Sequence, residues 1–149
     1  MKFLIVFFTV FCKIATAQFL TVDNLQHLTA GSVQNLDVKL AEHFKLERNP
    51  DMEDDDNRVY SAGHHHTDNF KVLTVFTRAK NCLALSLVTH NEAEVLNFHT
   101  DLIRQGFKQE HYKDAEGNPL KKYSKQNFVV IIKNPDSKLP AHQVVWSCR

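Results

Sequence analysis

The sequence predicts an α+β domain: a mainly antiparallel sheet in the order β-β-α-β-β-β, with N-terminal helices packed on it and one disulfide. Three observations lead there. Apolar residues recur at helical spacing in 18–48 and again in 92–105. Runs of branched and aromatic residues, bounded by turn formers, recur through 70–148. Two cysteines, Cys82 and Cys148, remain once an export signal is removed.

That signal comes first in the chain. Met1-Lys2 is a short basic start, Phe3 to Cys12 is almost unbroken apolar sequence, and Ala15-Thr16-Ala17 offers small residues to a signal peptidase. A membrane span needs about 20 apolar residues, and Lys13 interrupts the run before that. The expected cut falls between Ala17 and Gln18, so residues 1–17 are the signal peptide and the protein is secreted and extracellular, with no membrane span. Removing it leaves 132 residues, enough for one core. The whole chain has 18 Lys+Arg and 17 Asp+Glu, and losing Lys2 and Lys13 leaves 16 against 17. Near-neutrality argues against nucleic acid as a partner, which favours a strong basic excess. Cys12 leaves with the signal, so Cys82 and Cys148 are an even pair in an oxidising compartment and are expected to bond.

Residues 18–48 form the N-terminal helical segment. Val22, Leu25 and Leu28 repeat at spacing three, and Gly31 is a plausible stop. Ser32 is placed to cap a second helix striped by Val33, Leu36, Leu40, Ala41 and Phe44. Residues 49–69 are poor in apolar residues and hold Glu53-Asp54-Asp55-Asp56 and His64-His65-His66, so they read as an acidic and His-rich loop. Residues 70–149 carry the sheet, and 18–149 reads as one folding unit without an internal repeat. Phe70–Thr77 is a strand, Ala79-Lys80-Asn81 a turn, and Cys82–Val88 a second strand with leucines alternating onto one face. Asn91 caps a helix with Glu94 as reciprocal partner; Val95, Phe98, His99, Leu102 and Ile103 form its buried stripe and Gly106 ends it. Phe107–Lys113 is a polar edge strand, and 114–119 is a turn. Phe128–Ile132 is apolar on both faces, as a doubly covered strand would be, and the N-terminal helices are expected to supply the second cover. Gln143–Cys148 closes the sheet.

Chemistry is sparse. His64, His65, His66 and Asp68 are metal-ligand types, but adjacent histidines in one loop cannot all face one ion, so the expectation is a solvated loop with at most weak metal binding. No cofactor is implied. His99 falls on an apolar stripe and is expected to be a hydrogen-bonded core histidine. No serine sits in a G-x-S-x-G setting and both cysteines are committed, so no catalytic residue is assigned. Lys121, Lys122 and Lys125 form a basic patch expected to protect a sheet edge, the alternative being to bind an acidic partner or a glycosaminoglycan; the acidic run 53–56 is either solvated or paired with this patch within the chain.

In element order, 83–132 is similar to one β-α-β-β-β module of the glyoxalase type, although the metal ligands of that family are not recognisable. Cystatins are likewise secreted, disulfide-bonded helix-plus-sheet proteins, but their Q-x-V-x-G hairpin is absent. Neither resemblance assigns a family. The functional expectation is a non-enzymatic secreted binding protein acting on an extracellular protein partner. A protease inhibitor, an extracellular enzyme and a small-molecule carrier are the alternatives; an apolar cavity between helices and sheet would mark the last.

Overall fold

A computed structural model describes residues 18–64, 67, 69–78 and 82–149. Helix α1 (Val22–Thr29) starts where the Thr21 side chain accepts the Asn24 N–H. A 3-10 turn at Val33–Asn35 leads into α2 (Leu36–Phe44), so Ser32 caps that turn rather than an α-helix and makes no side-chain cap bond. Of the expected stripe only Leu36 and Leu40 are fully buried, and Ala41 faces solvent. Strands β1 (Glu47–Arg48), β2 (Asn57–Ala62), β3 (Lys71–Phe76) and β4 (Ala84–Thr89) follow. Helix α3 (Glu92–Arg104) then leads to β5 (Lys108–Lys113), β6 (Pro119–Lys125), β7 (Phe128–Lys133) and β8 (His142–Cys148). All pair antiparallel in one eight-stranded sheet, ordered β1-β2-β3-β4-β8-β7-β6-β5.

The predicted α+β class is therefore observed, with corrections in detail. The span 49–69 is not all loop: it contains β2, whose Val59 and Tyr60 are buried. Strand β8 does not close an edge but lies at the centre of the sheet beside β4. Among the described residues no helix is long and apolar enough to cross a membrane. The Ala79-Lys80-Asn81 turn lies outside the described residues.

The cover on β7 is also differently arranged. Cross-strand register puts Tyr60, Leu73, Leu87, Val144 and Ile132 in one row. Arg58, Val75, Leu85, Trp146, Val130 and Tyr123 form the next row on that same face. Helix α2 reaches this face through Asp37 to Tyr60, and α3 reaches it through His99 to Tyr123. The described helices thus share one face, and Val129 and Ile131 on the other side of β7 remain half-buried. Packing a helix on each face would have left α1 and α3 without one another. Here they meet, because Glu94 and Asp101 of α3 accept the Leu20 and Val22 backbone N–H groups, each at 3.0 Å. Glu94 therefore completes no capping box. Asn91 caps the Glu94 N–H as expected, but the Glu94 carboxylate is turned inward to Leu20 and to the Lys71 ammonium. Ile103, predicted to be buried, is exposed. Trp146 is fully enclosed between Phe107 and Phe128, and its aromatic surface supplies much of the central burial.

The strand order is palindromic about the β4–β8 pair, and the residues obey the same symmetry. Tyr60 pairs Leu73 as Tyr123 pairs Val130, and Arg58 pairs Val75 as Lys121 pairs Ile132. The central ladder, Leu85 with Trp146 and Leu87 with Val144, maps onto itself. On the helices, Val33, Leu36, Asp37 and Leu40 correspond to Val95, Phe98, His99 and Leu102. Each helix then ends near a left-handed residue, Lys45 (φ 57°) or Gly106 (φ 82°), followed by a buried Leu46 or Phe107. The domain is thus built from two halves of one plan, an internal repeat where none was expected from the sequence.

The disulfide joins the halves across their junction. Cys82 precedes β4 and Cys148 ends β8, with Cα atoms 6.0 Å apart, inside the range for a bridge.

Candidate functional site

The two halves differ where helix meets sheet, and that difference forms the site. In the first half, Asp37 accepts the Tyr60 hydroxyl at 2.6 Å, and Arg58 Nη1 lies 3.4 Å from the same carboxylate oxygen. Arg58 also donates to the Val33 carbonyl at 3.3 Å, so its guanidinium bridges helix and sheet. Burial pushes the Tyr60 hydroxyl up to about 12, and the hydrogen bond to the anionic Asp37 adds to this.

In the second half, His99 replaces Asp37, Lys121 replaces Arg58, and Tyr123 retains the tyrosine. Tyr123 and His99 Nδ1 are 2.5 Å apart. Burial holds the Tyr123 hydroxyl protonated up to about 12. Burial also pushes His99 below the usual imidazole range, and the Lys121 ammonium adds to that. A protonated phenol and a neutral imidazole are both satisfied when Tyr123 donates to Nδ1, which leaves the ring proton on Nε2. Among the described residues, Lys121 has no carboxylate partner and no hydrogen bond, unlike Arg58.

A cavity of about 350 Å³ lies between α3, β6, β7 and β8, lined by Glu92, Val95, Leu96, His99, Lys121, Ile132, Asn134, Pro135 and His142. Val95 and Ile132 are its buried apolar walls. His142 stands where the first half has Leu83, by the register of β4 against β8. Burial keeps its imidazole below the usual range and nearby His90 adds to this, while the Glu92 carboxylate opposes both. Its Nδ1 is shielded from solvent and has no hydrogen-bond partner in the fold. The cavity thus has an acidic rim at Glu92, a basic end at Lys121, and two imidazoles in its lining whose burial works against protonation.

The residues singled out in the sequence are dispersed. Lys121 and Lys125 lie on the helix side of β6 while Lys122 lies on the other, because successive strand residues alternate. Lys125 donates to the Gln105 carbonyl and Lys122 pairs with Glu110, so the three lysines form no single patch. Nor does the acidic run meet them: Glu53 binds Arg48, Asp56 binds Arg78, and both lie toward the opposite sheet edge from β6. His64 is exposed, while His65, His66 and Asp68 lie outside the described residues, as does Ala17. Gln18 is exposed, and Phe19 beside it is buried edge-on against Phe44. Among the described residues no three His, Cys, Asp or Glu side chains cluster as metal ligands. His99 is hydrogen-bonded as expected, but it lines a cavity as well.

Sequence reasoning missed Glu92, Val95, Ile132 and His142 as a group. The sequence carries a trace of the repeat in the paired spacing of Val, Leu/Phe and Leu at 33, 36, 40 and 95, 98, 102, with a Tyr-Ser later in each half, but of the four only Val95 belongs to it. Compared with protein-family models, curated proteins and solved structures, the chain matches none.

Proposed function

We propose that this chain is a small secreted binding protein without catalytic activity, exported by residues 1–17, that takes a small ligand in the cavity beside α3. The observation that carries the reading is the cavity itself, lined by His99 and Lys121 at the positions that Asp37 and Arg58 hold as an ion pair in the first half. This moves the weight from a protein partner, the leading sequence expectation, to the carrier reading. Two features support binding over catalysis. The His99 Nδ1 is already engaged by Tyr123, and the lining contains no serine, threonine or cysteine to act as a nucleophile. Export is supported by the basic start, the apolar run and the A-x-A site, and the cut after Ala17 leaves Phe19 and Leu20 in the core. A disulfide between Cys82 and Cys148 suits an oxidising compartment.

Expression in a secretory host tests both parts. The expected product is in the medium, begins at Gln18, and releases a co-purified small molecule on denaturation or shows amide shifts at Val95 and Ile132 with a fragment library. Retention inside the cell with residues 1–17 attached overturns export. A library that shifts no residue of the cavity overturns the ligand reading.

A second reading, action on an extracellular protein, draws on the sheet face without helices. Val72, Val88, Val129, Ile131 and Val145 lie there half-buried, beside an exposed Phe76. Cross-linking that maps a partner to these strands would favour it over the cavity.

A further inference from the structure

We infer that the ligand is a small organic monocarboxylate, its carboxylate held at Lys121 and His99 and its hydrocarbon body against Val95 and Ile132. This rests on the reading of the cavity as a ligand site and adds the chemistry of what enters it.

The first half shows what the framework is built to hold. There, a carboxylate from the helix lies between a β2 cation and its neighbouring tyrosine, Asp37 with Arg58 and Tyr60. The second half keeps the cation as Lys121 and the tyrosine as Tyr123, but the helix supplies His99, a neutral group. The carboxylate is the missing member of the set. Lys121 is left as a half-buried ammonium with no counter-charge among the described residues. With the Tyr123 hydroxyl donating to Nδ1, the ring proton of His99 lies on Nε2, which makes that nitrogen a second donor facing no acceptor among the described residues. Two donors and one positive charge match a monoanion.

The rest of the lining selects against other anions and against amines at that end. Glu92 is an exposed carboxylate on the rim, and it repels a second negative charge such as that of a phosphate dianion. His142 and His90 lie on the Glu92 side, and burial works against protonation of His142. Val95, Leu96, Ile132 and Pro135 offer apolar wall for a hydrocarbon portion. A cavity of about 350 Å³ is at the lower end for small-molecule sites, which limits the ligand to roughly a dozen heavy atoms.

Three probes of one shape separate the possibilities: 4-phenylbutyrate, 4-phenylbutan-1-ol and 4-phenylbutylamine, titrated by amide NMR into the chain from Gln18 onward. The acid is expected to bind at least tenfold more tightly than the alcohol and the amine, with shifts at Val95, Ile132 and the His99 ring. Lys121→Gln is expected to abolish that preference with unchanged melting temperature, since Lys121 forms no ion pair in the fold. Glu92→Gln is expected to tighten the acid a few-fold. Equal binding of all three probes in the cavity, or an unchanged preference in Lys121→Gln, overturns the carboxylate assignment while leaving the cavity a ligand site. Absence of cavity shifts with every probe and with the fragment library overturns both.

Discussion

Replacing Glu94 with glutamine tests whether the buried latch between the N-terminus and α3 is an ionic structure or only a hydrogen bond. The Glu94 side chain is 5% exposed, and Lys71 beside it is 17% exposed. The Lys71 ammonium lies 2.8 Å from Oε2 and 3.1 Å from Oε1, while the Leu20 N–H reaches Oε1 at 3.0 Å. Glutamine retains an oxygen for Leu20 but removes the charge, leaving a poorly solvated ammonium. Breaking a buried pair costs roughly 3–5 kcal/mol. The residual access of Lys71 to water and the surviving Leu20 bond bring the expected loss to about 2–3 kcal/mol. At about 3 °C per kcal/mol for a domain of this size, the melting temperature falls by about 8 °C. Lys71→Met strands the carboxylate and is expected to cost about 3 kcal/mol. The double variant should lose about 2 kcal/mol less than the sum of the two, read from urea unfolding of all four proteins. Additive losses would refute the reasoning. So would a Glu94→Gln loss as small as that of Asp56→Asn at the exposed Arg78 pair, expected within about 0.5 kcal/mol.

Other expectations follow from the same structure. Cys82 and Cys148 are 66 residues apart, so replacing both with serine should cost about 4 kcal/mol in the chain-entropy account, measured by urea unfolding; a loss below about 1 kcal/mol would contradict a constraining bridge. The Tyr60 and Tyr123 hydroxyls are raised to about 12 in the fold against about 10 unfolded. Their contribution is fully present below pH 10 and fades as pH rises toward 12, by up to about 1.4 kcal/mol per pH unit for each tyrosine. Tyr60→Phe with Tyr123→Phe should flatten that alkaline decline in melting temperature. His99 and His142 are lowered in the fold, so their contribution is present above the ordinary imidazole value of about 6.5 and is lost as pH falls below it. NMR titration of the two rings should give midpoints under 6.5, and midpoints above it would be inconsistent with neutral imidazoles in the cavity. Lys45 is left-handed where the second half has Gly106, so Lys45→Gly should stabilise by roughly 0.5–1 kcal/mol and Gly106→Ala should destabilise by about 1 kcal/mol.

The α+β class, α1, α3, the leucine-alternating strand β4 and the Cys82–Cys148 pair were all legible in the sequence. They depend on signals of spacing and composition: the recurrence of apolar residues, Asn91 as a cap, Gly106 as a stop, and the two cysteines left when Cys12 is assigned to a signal peptide. Strand β2 was not legible, because Asn57-Arg58-Val59-Tyr60 follows an acidic run and its buried Tyr60 hydroxyl and Arg58 take their partners from α2. Strand β5 could be placed at an edge from its polarity, whereas β8 could not be placed at the centre, since pairing with β4 joins residues about 60 apart in sequence.

What the sequence determines by itself, then, is the type of most elements, which depends on neighbours along the chain, and the pair of cysteines available to bond, which depends on composition. Tertiary structure alone decides that the three described helices share one face, that the halves are arranged on one plan, and that Lys121 stands where the other half has an ion pair. Those facts depend on register and on the meeting of α3 with the N-terminus through Glu94 and Asp101. Two half-domains can keep the same backbone while exchanging nearly every side chain, since burial and left-handed caps constrain size and conformation more than identity. At the cavity the two halves differ in charge, with His99 and Lys121 where the first half has Asp37 and Arg58.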